Sequence, residues 1–322
     1  NSGNVIYIYP EKNIVIVPGG FKVRTDLATT VDKGIVIEDS EQNQFVWVPI
    51  GEVTKSDGST VNIEFGRYSD FSLTATPVQY ADDYESTVLI DSKYQELSTY
   101  RESNFIGFNG LGATAKNLTT FILNAKSNSG YYIARCEASF ASGDPISSVS
   151  SGTKGVTNQK PAFKQSTSAS SSSDIGTVTS TPGMLWNYIR QGDASLACQN
   201  LYVGNEYNGQ DFVECDLVNS YAWDTAIMFI QKCSSKTNYS NQKDGTGTKY
   251  NTGASSDVIC NIYDMCGNEY EWGTEHTNNP NHCCVLRGAS YYSYDKDFMA
   301  CRRGIRMYSD ATIGFRVGLY VL

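Results

Sequence analysis

The 322-residue sequence predicts a single irregular α+β domain, and three observations lead there. Glycine (28) and tyrosine (22) are abundant while apolar residues reach only 40 %, which suits a loop-rich, mainly β protein better than a helical bundle. Short β-rich runs recur between polar turns. Three longer stretches carry the apolar period of an amphipathic helix.

In chain order, "VIYIYPEKNIVIV" predicts a β-hairpin turning at Pro10-Glu11-Lys12-Asn13, a short extension within residues 1–33. "GIVIEDSEQNQFVWVPIG" repeats the theme, with a polar turn between Ile37 and Phe45, and opens a domain spanning 34–322. In "TAKNLTTFILNAK", Leu118, Phe121, Ile122 and Ala125 fall at i, i+3, i+4 and i+7 behind a Thr114 cap. "SGYYIARCEAS" predicts a buried strand. The Ser/Thr-rich stretch 164–183, "KQSTSASSSSDIGTVTSTPG", cannot pack a core and predicts a surface loop. "DASLACQNLY" predicts a helix capped by Asp193, with Ala194, Ala197 and Leu201 on one face. "NSYAWDTAIMFIQK" predicts another, capped by Ser220 or Asn219, with a stripe of Trp223, Ile227 and Ile230.

A formal charge of −9, with no basic block longer than a pair, repels phosphate backbones and argues against a nucleic-acid partner. No run approaches the 18 or so apolar residues of a membrane span. Nine cysteines contain no C-x-x-C, and His276 and His282 are the two histidines, so the pattern is not that of a zinc site. It predicts instead an extracellular chain with disulfides and at least one thiol left over. Of the adjacent Cys283 and Cys284, at most one is expected to face the core. A start at Asn1 rather than Met fits a removed signal or anchor.

Three landmarks follow in order: "NSYAWDTAIMFI", "IYDMCGNEYEW" and "VLRGASYY…IGFRVG". Over roughly 205–320 this order resembles the formylglycine-generating-enzyme, or sulfatase-modifying-factor, domain family. "FVWVPIG" and "YYIARCEAS" extend a looser likeness over 34–140, while 1–33 match nothing in that domain. The resemblance implies the irregular C-type-lectin-like fold in its formylglycine-enzyme variant. Oxidase members hold copper with two cysteines just after the R-G-G-S element, and Cu(I) needs soft thiolates. Here Ser293 and Phe298 stand at those positions, so neither copper nor oxidase activity is expected. A related iron enzyme family needs a histidine triad on a further helical domain, which two histidines cannot supply. The family's calcium turn carries over as Asp264 and Glu271 by side chain, with Gly267 and Glu269 by backbone carbonyl, a hard-oxygen set suited to a structural Ca2+. The alternative is a turn held by Asp264 hydrogen bonds without an ion. Arg287 and Arg316, in the family's frame, are expected to brace the fold, Arg287 by hydrogen bonds to backbone carbonyls.

Between those frames lies a segment dense in tyrosine, serine and aspartate. Tyrosine offers a stiff amphipathic surface with few rotors to freeze, and serine and aspartate add adaptable hydrogen bonds. This predicts a ligand face of Tyr291, Tyr292, Ser293, Tyr294, Asp295, Asp297, Arg303 and Tyr308. The segment also resembles the variable proteins of diversity-generating retroelements, whose randomised positions favour Asn, Tyr, Asp and Ser; Asp310 fits the same palette. The alternative for each tyrosine is packing at a strand edge, and Arg302, Arg303 and Arg306 are either solvated or paired with the aspartates. The expected function is non-enzymatic recognition of a host-surface protein or glycan, by an adhesin, pilus-associated protein or phage receptor-binding protein at a cell or virion surface. Two other readings stand beside it. One is a copper oxidase with rearranged ligands, Cys301 with Cys283 or Cys284; the other is a purely structural pilus or virion subunit.

Overall fold

The computed structural model describes residues 6–78, 88–89, 94–96, 116–140, 161–166, 184–203, 212–241, 247–265, 267–277, 282, 284–292, 302–305 and 310–322. The architecture is mixed, mostly sheet, with three α-helices among the described residues.

The central strand β5 (Gln44–Pro49) is buried along all six residues, which suits its run Phe-Val-Trp-Val. On one side it pairs with β4 (Val36–Glu38), and β4 with β3 (Lys22–Val23). On the other it pairs with β10 (Gly130–Ala134), β10 with β20 (Val317–Val321), and β20 with β13 (Val213–Leu217), all antiparallel. Gly130 is needed at this crossing, because a Cβ there would lie 2.2 Å from the Trp47 indole.

A second sheet is built on β16 (Tyr270–Thr277). It pairs antiparallel with β17 (Cys284–Arg287), which pairs with β18 (Arg302–Ile305), and on its other edge with β9 (Tyr94–Glu96), which pairs with β8 (Val88–Leu89). The short β19 (Ile313–Phe315) joins β16 in parallel. Two-stranded pairs complete the chain: β1 (Ile6–Ile8) with β2 (Val15–Val17), β6 (Gly51–Thr54) with β7 (Thr60–Ile63), β11 (Ser139–Phe140) with β12 (Pro161–Ala162), and β14 (Val258–Ile259) with β15 (Ile262–Tyr263).

Both hairpins expected near the N-terminus form, the first through a 3-10 turn at Pro10–Lys12. Strand β2 is fully buried, and the Tyr132 hydroxyl donates to the Ile16 carbonyl at 2.8 Å. Asn13 ties the hairpin to β6 by two hydrogen bonds of 2.8 Å with Thr54.

Helix α1 (Leu118–Ser127) buries Leu118, Phe121, Ile122 and Ala125, the expected face. It starts at Leu118 with Asn117 in the cap position, and the expected cap Thr114 lies outside the described residues. The Asn117 side chain makes no capping bond and reaches Glu214 instead. Helix α2 (Gln191–Gln199) corrects the expected Asp193 cap. Arg190, with extended backbone, precedes the first turn, and Asp193 sits inside that turn, where a carboxylate favours the helix dipole. Helix α3 (Ser220–Cys233) is capped by Asn219, whose side chain accepts from the Ala222 amide at 3.0 Å. Trp223, Ile227 and Ile230 are buried, within one core that also holds Trp47, Trp186 and Trp272. No helix among the described residues is long and apolar enough to cross a membrane.

The expectation of disulfides fails for six cysteines. Cys136, Cys198, Cys215, Cys233, Cys260 and Cys284 are thiols outside any disulfide, five of them buried, where a thiol packs as a small hydrophobe. Cys284 faces the core, while Cys266, Cys283 and Cys301 lie outside the described residues. Of the Ser-rich stretch, 167–183 likewise lie outside.

Candidate recognition face

Strand β16 brings the three sequence landmarks together. Glu271, from the Y-D-M-C-G-N turn, lies opposite Arg287 of β17 on one side and Gly314 of β19 on the other. The R-G-A-S and G-F-R frames therefore flank one strand. Trp223 of α3 packs beneath them, with the Arg287 guanidinium 5.4 Å from its ring centroid.

Arg287 braces the fold through partners other than those expected. Among the described residues it binds no backbone carbonyl but pairs with the Asp224 carboxylate and, at 3.1 Å, with Glu275. The other Glu275 oxygen takes Arg67 at 2.6 Å, and the second Asp224 oxygen accepts from the Tyr68 amide at 2.8 Å. All four charged side chains are at most 1 % exposed, so among the described residues two arginines face two carboxylates away from water. Arg316 takes the role foreseen for Arg287. It donates to the Ala134, Arg135 and Tyr263 carbonyls at 2.9, 3.3 and 2.7 Å and holds Glu271 at 2.7 Å.

The Asp264 turn is buried and crowded with acid. Asp264 has left-handed backbone (φ 58°), and one carboxylate oxygen accepts from the Ser255 hydroxyl. The other is buried without a hydrogen bond. Both Glu271 oxygens face the Arg316 guanidinium, at 3.0 and 3.2 Å from Nε. Glu137, absent from the sequence expectations, accepts from Asn268 Nδ2 at 2.6 Å and from the Glu269 amide at 3.2 Å. The Glu269 side chain accepts from Asn187 at 3.0 Å. Burial pushes the Asp264 carboxyl up to about 8, against the pull of the Ser255 hydroxyl. Burial, reinforced by Asp264, Glu271 and Glu269, pushes Glu137 well above the usual carboxylate range. For Glu271, burial pushes upward while Arg316 pulls downward.

The calcium set suggested by the sequence thus fits an ion in part: Asp264 offers an orphaned oxygen, whereas the Glu271 carboxylate is engaged by an arginine. Among the described residues, no group of three His, Cys, Asp or Glu side chains is arranged to hold a metal.

Beyond Arg287 the chain turns at Gly288 (φ 75°), buries Ala289 and Ser290, and emerges at two tyrosines. Tyr291 is half-buried, its amide donating to the Asn268 carbonyl at 2.9 Å. Tyr292 is 66 % exposed, and the two rings meet edge-on at 6.4 Å and 70°. The Lys249 ammonium lies 5.4 Å from the Tyr291 ring centroid. Asp310 forms a turn, one oxygen accepting from the Thr312 amide and hydroxyl at 2.9 and 2.7 Å. Ser293, Tyr294, Asp295, Asp297, Phe298 and Tyr308 lie outside the described residues, as do the side chains of Arg302 and Arg303. Cys284, named for a rearranged copper site, is fully buried with its sulfur 3.8 Å from Gln191 Oε1. It opposes Ile305, at the other end of β18 from Arg302.

Sequence reasoning missed Asn268, Lys249, Tyr250 and Tyr188 as neighbours of this face. The turn at Asp264 was legible, but the contacts of Asn268 were not.

What the fold and site define is a mixed α+β domain presenting tyrosines from a doubly ion-paired frame. Comparison of the chain with protein-family models, with curated proteins and with solved structures returns no match.

Proposed function

We propose that this chain is a non-enzymatic, surface-displayed recognition domain with the lectin-like fold of the formylglycine-enzyme type. Its ligand face is Tyr291, Tyr292, Ser293, Tyr294, Asp295, Asp297, Arg303 and Tyr308, and its ligand is a host-surface protein or glycan. It acts outside the cell, on a cell, pilus or virion surface. The observation that carries the reading is the 66 % exposure of Tyr292 immediately beyond a frame whose Arg287 is almost fully buried. Tyrosine presented in this way is the residue type that recognition loops use, a large, stiff, amphipathic surface with few rotors to freeze. Calcium at the Asp264 turn belongs to the same proposal, as a structural ion with Asp264 as its side-chain ligand.

The test replaces Tyr291, Tyr292 and Tyr294 together with alanine. Binding to arrays of host-surface proteins and glycans should vanish while the melting temperature stays within a few degrees of the parent. A large fall in melting temperature would make these rings core instead. For the copper alternative, the reduced protein is titrated with Cu(I); stoichiometric tight binding would favour the oxidase and end the recognition reading.

A further inference from the structure

Tyr291 and Tyr292 are not alone on their surface. Asn268 couples them to a second segment: its carbonyl accepts from the Tyr291 amide at 2.9 Å, and its side chain grips the Tyr250 backbone from both sides. Asn268 Oδ1 accepts from the Tyr250 amide at 2.8 Å, and Nδ2 donates to the Tyr250 carbonyl at 3.2 Å. The preceding residue, Lys249, lies over the Tyr291 ring and reaches the Ala311 carbonyl at 3.5 Å. That carbonyl also accepts from Asn187 at 2.9 Å, and the Asp310 carbonyl accepts from the Tyr188 amide at 3.0 Å. Tyr188, Tyr250, Tyr291 and Tyr292 thus belong to one hydrogen-bonded neighbourhood drawn from three distant stretches of chain. The first three are half-buried and the last exposed. Tyr188 also has left-handed backbone (φ 54°), a conformation bulky residues avoid and that recurs at ligand-contacting positions.

From this arrangement we infer that the recognition face extends from Tyr291 and Tyr292 to Tyr250 and Tyr188, and that it takes a folded protein surface. The inference rests on the recognition reading above and names its partner class. Two features favour protein over glycan. A sugar needs a flat, open ring to stack on, but Tyr291 carries its own lysine on its ring, and Tyr292 stands at 70° to it. The exposed parts of Tyr188, Tyr250, Tyr291 and Tyr292 come from three separate stretches of chain, so a partner that touches all of them must be a surface rather than a single ring, with neighbouring residues supplying most of the roughly 800 Å2 per partner of a protein interface.

The probe is a phage-displayed library of a rigid three-helix scaffold randomised on one face, selected on the full chain. Its clones are then measured against Tyr292→Ala, Tyr250→Ser, Tyr188→Asn and, as a control, Tyr7→Ser, another exposed tyrosine. An oligosaccharide array is run alongside. Urea midpoints confirm that each variant is folded, and asparagine at 188 keeps a residue that tolerates left-handed backbone. The expected result is that most clones lose about tenfold or more in affinity with Tyr292→Ala, Tyr250→Ser and Tyr188→Asn, and nothing with Tyr7→Ser. Loss with Tyr292→Ala alone would overturn the extended face while leaving the recognition reading intact. Clones indifferent to Tyr292→Ala would overturn both. Tyr292-dependent binding to the oligosaccharides, displaced by free sugar, would overturn the protein partner.

Discussion

Arg287→Met tests whether the frame behind the tyrosines is what holds them. The substitution keeps most of the buried aliphatic volume and removes the guanidinium that pairs with Asp224 and Glu275. Arg67 remains on Glu275, so among the described residues the network goes from two cations and two anions to one cation and two anions, at side chains at most 1 % exposed. Breaking a buried pair by removing one partner costs about 3–5 kcal/mol, because the stranded charge keeps its desolvation penalty without its compensation. Measured against a typical stability of about 5–15 kcal/mol, that is a large share of the fold. At about 2–3 °C per kcal/mol for a chain this long, the melting temperature should fall by about 6–15 °C. Urea unfolding followed by tryptophan fluorescence suits the question, since Trp223 lies beneath the guanidinium. The double variant Arg287→Met, Asp224→Asn restores the charge balance and should recover part of the loss, with a coupling of about 0.5–3 kcal/mol. A single-variant loss below about 1 kcal/mol, or strictly additive losses in the pair, would refute the reasoning.

Three further outcomes follow from buried chemistry elsewhere. Asp264 has a carboxyl raised from 3.8 to about 8, so the folded chain keeps a proton that the unfolded chain releases from about pH 4 upward. That contribution is complete below the unfolded value and lost as pH rises towards 8; in EDTA the urea midpoint should decline between pH 6 and 8, and a rise there would contradict the assignment. Gly130→Ala would place a Cβ 2.2 Å from the Trp47 indole, and overpacking of this kind costs about 1–3 kcal/mol; an unchanged urea midpoint would show that the β5–β10 crossing relaxes freely. Burial pushes the Cys136 thiol up to about 12, so a thiol reagent at pH 8 should modify it only after unfolding, and rapid labelling of the native chain, read by mass spectrometry of its peptide, would argue against that burial.

The sequence was most readable where period and packing agree locally. The two N-terminal hairpins, the buried faces of α1 and α3 and the strand of Gly130–Ala134 all follow from apolar spacing within about a dozen residues. Helix starts were less legible, because Arg190 enters α2 with extended backbone and leaves Asp193 to act inside the first turn. Partners distant in sequence were not legible at all. Arg287 was expected to bind carbonyls like Arg316, and no local pattern announces that Asp224 and Glu275 converge on it. For the site, composition marked Tyr291 and Tyr292, but Asn268 gripping Tyr250 from the Asp264 turn is a tertiary contact 18 residues long. Nine scattered cysteines suggested cross-links, whereas six serve as thiols, five of them buried, because a free cysteine fills a core as readily as it bridges one.

The placement of charge explains how such a face could change without unfolding the chain. Arg287 and Arg316 discharge their charges inward, on Asp224, Glu275 and Glu271, and β16 links the two frames because Glu271 opposes Arg287 and Gly314 at once. The stability of that support resides in residues exposed to a few per cent or less, while Tyr292 is mostly in water. Exposed substitutions away from such networks usually move stability by no more than about 0.5 kcal/mol. Tyr292→Ala should therefore leave the urea midpoint nearly unchanged, Arg287→Met should lower it strongly, and the two effects should add in the double variant within about 0.5 kcal/mol. A marked departure from additivity would mean that the exposed ring and the buried guanidinium stabilise one another, and that the surface is not free to vary independently of its frame.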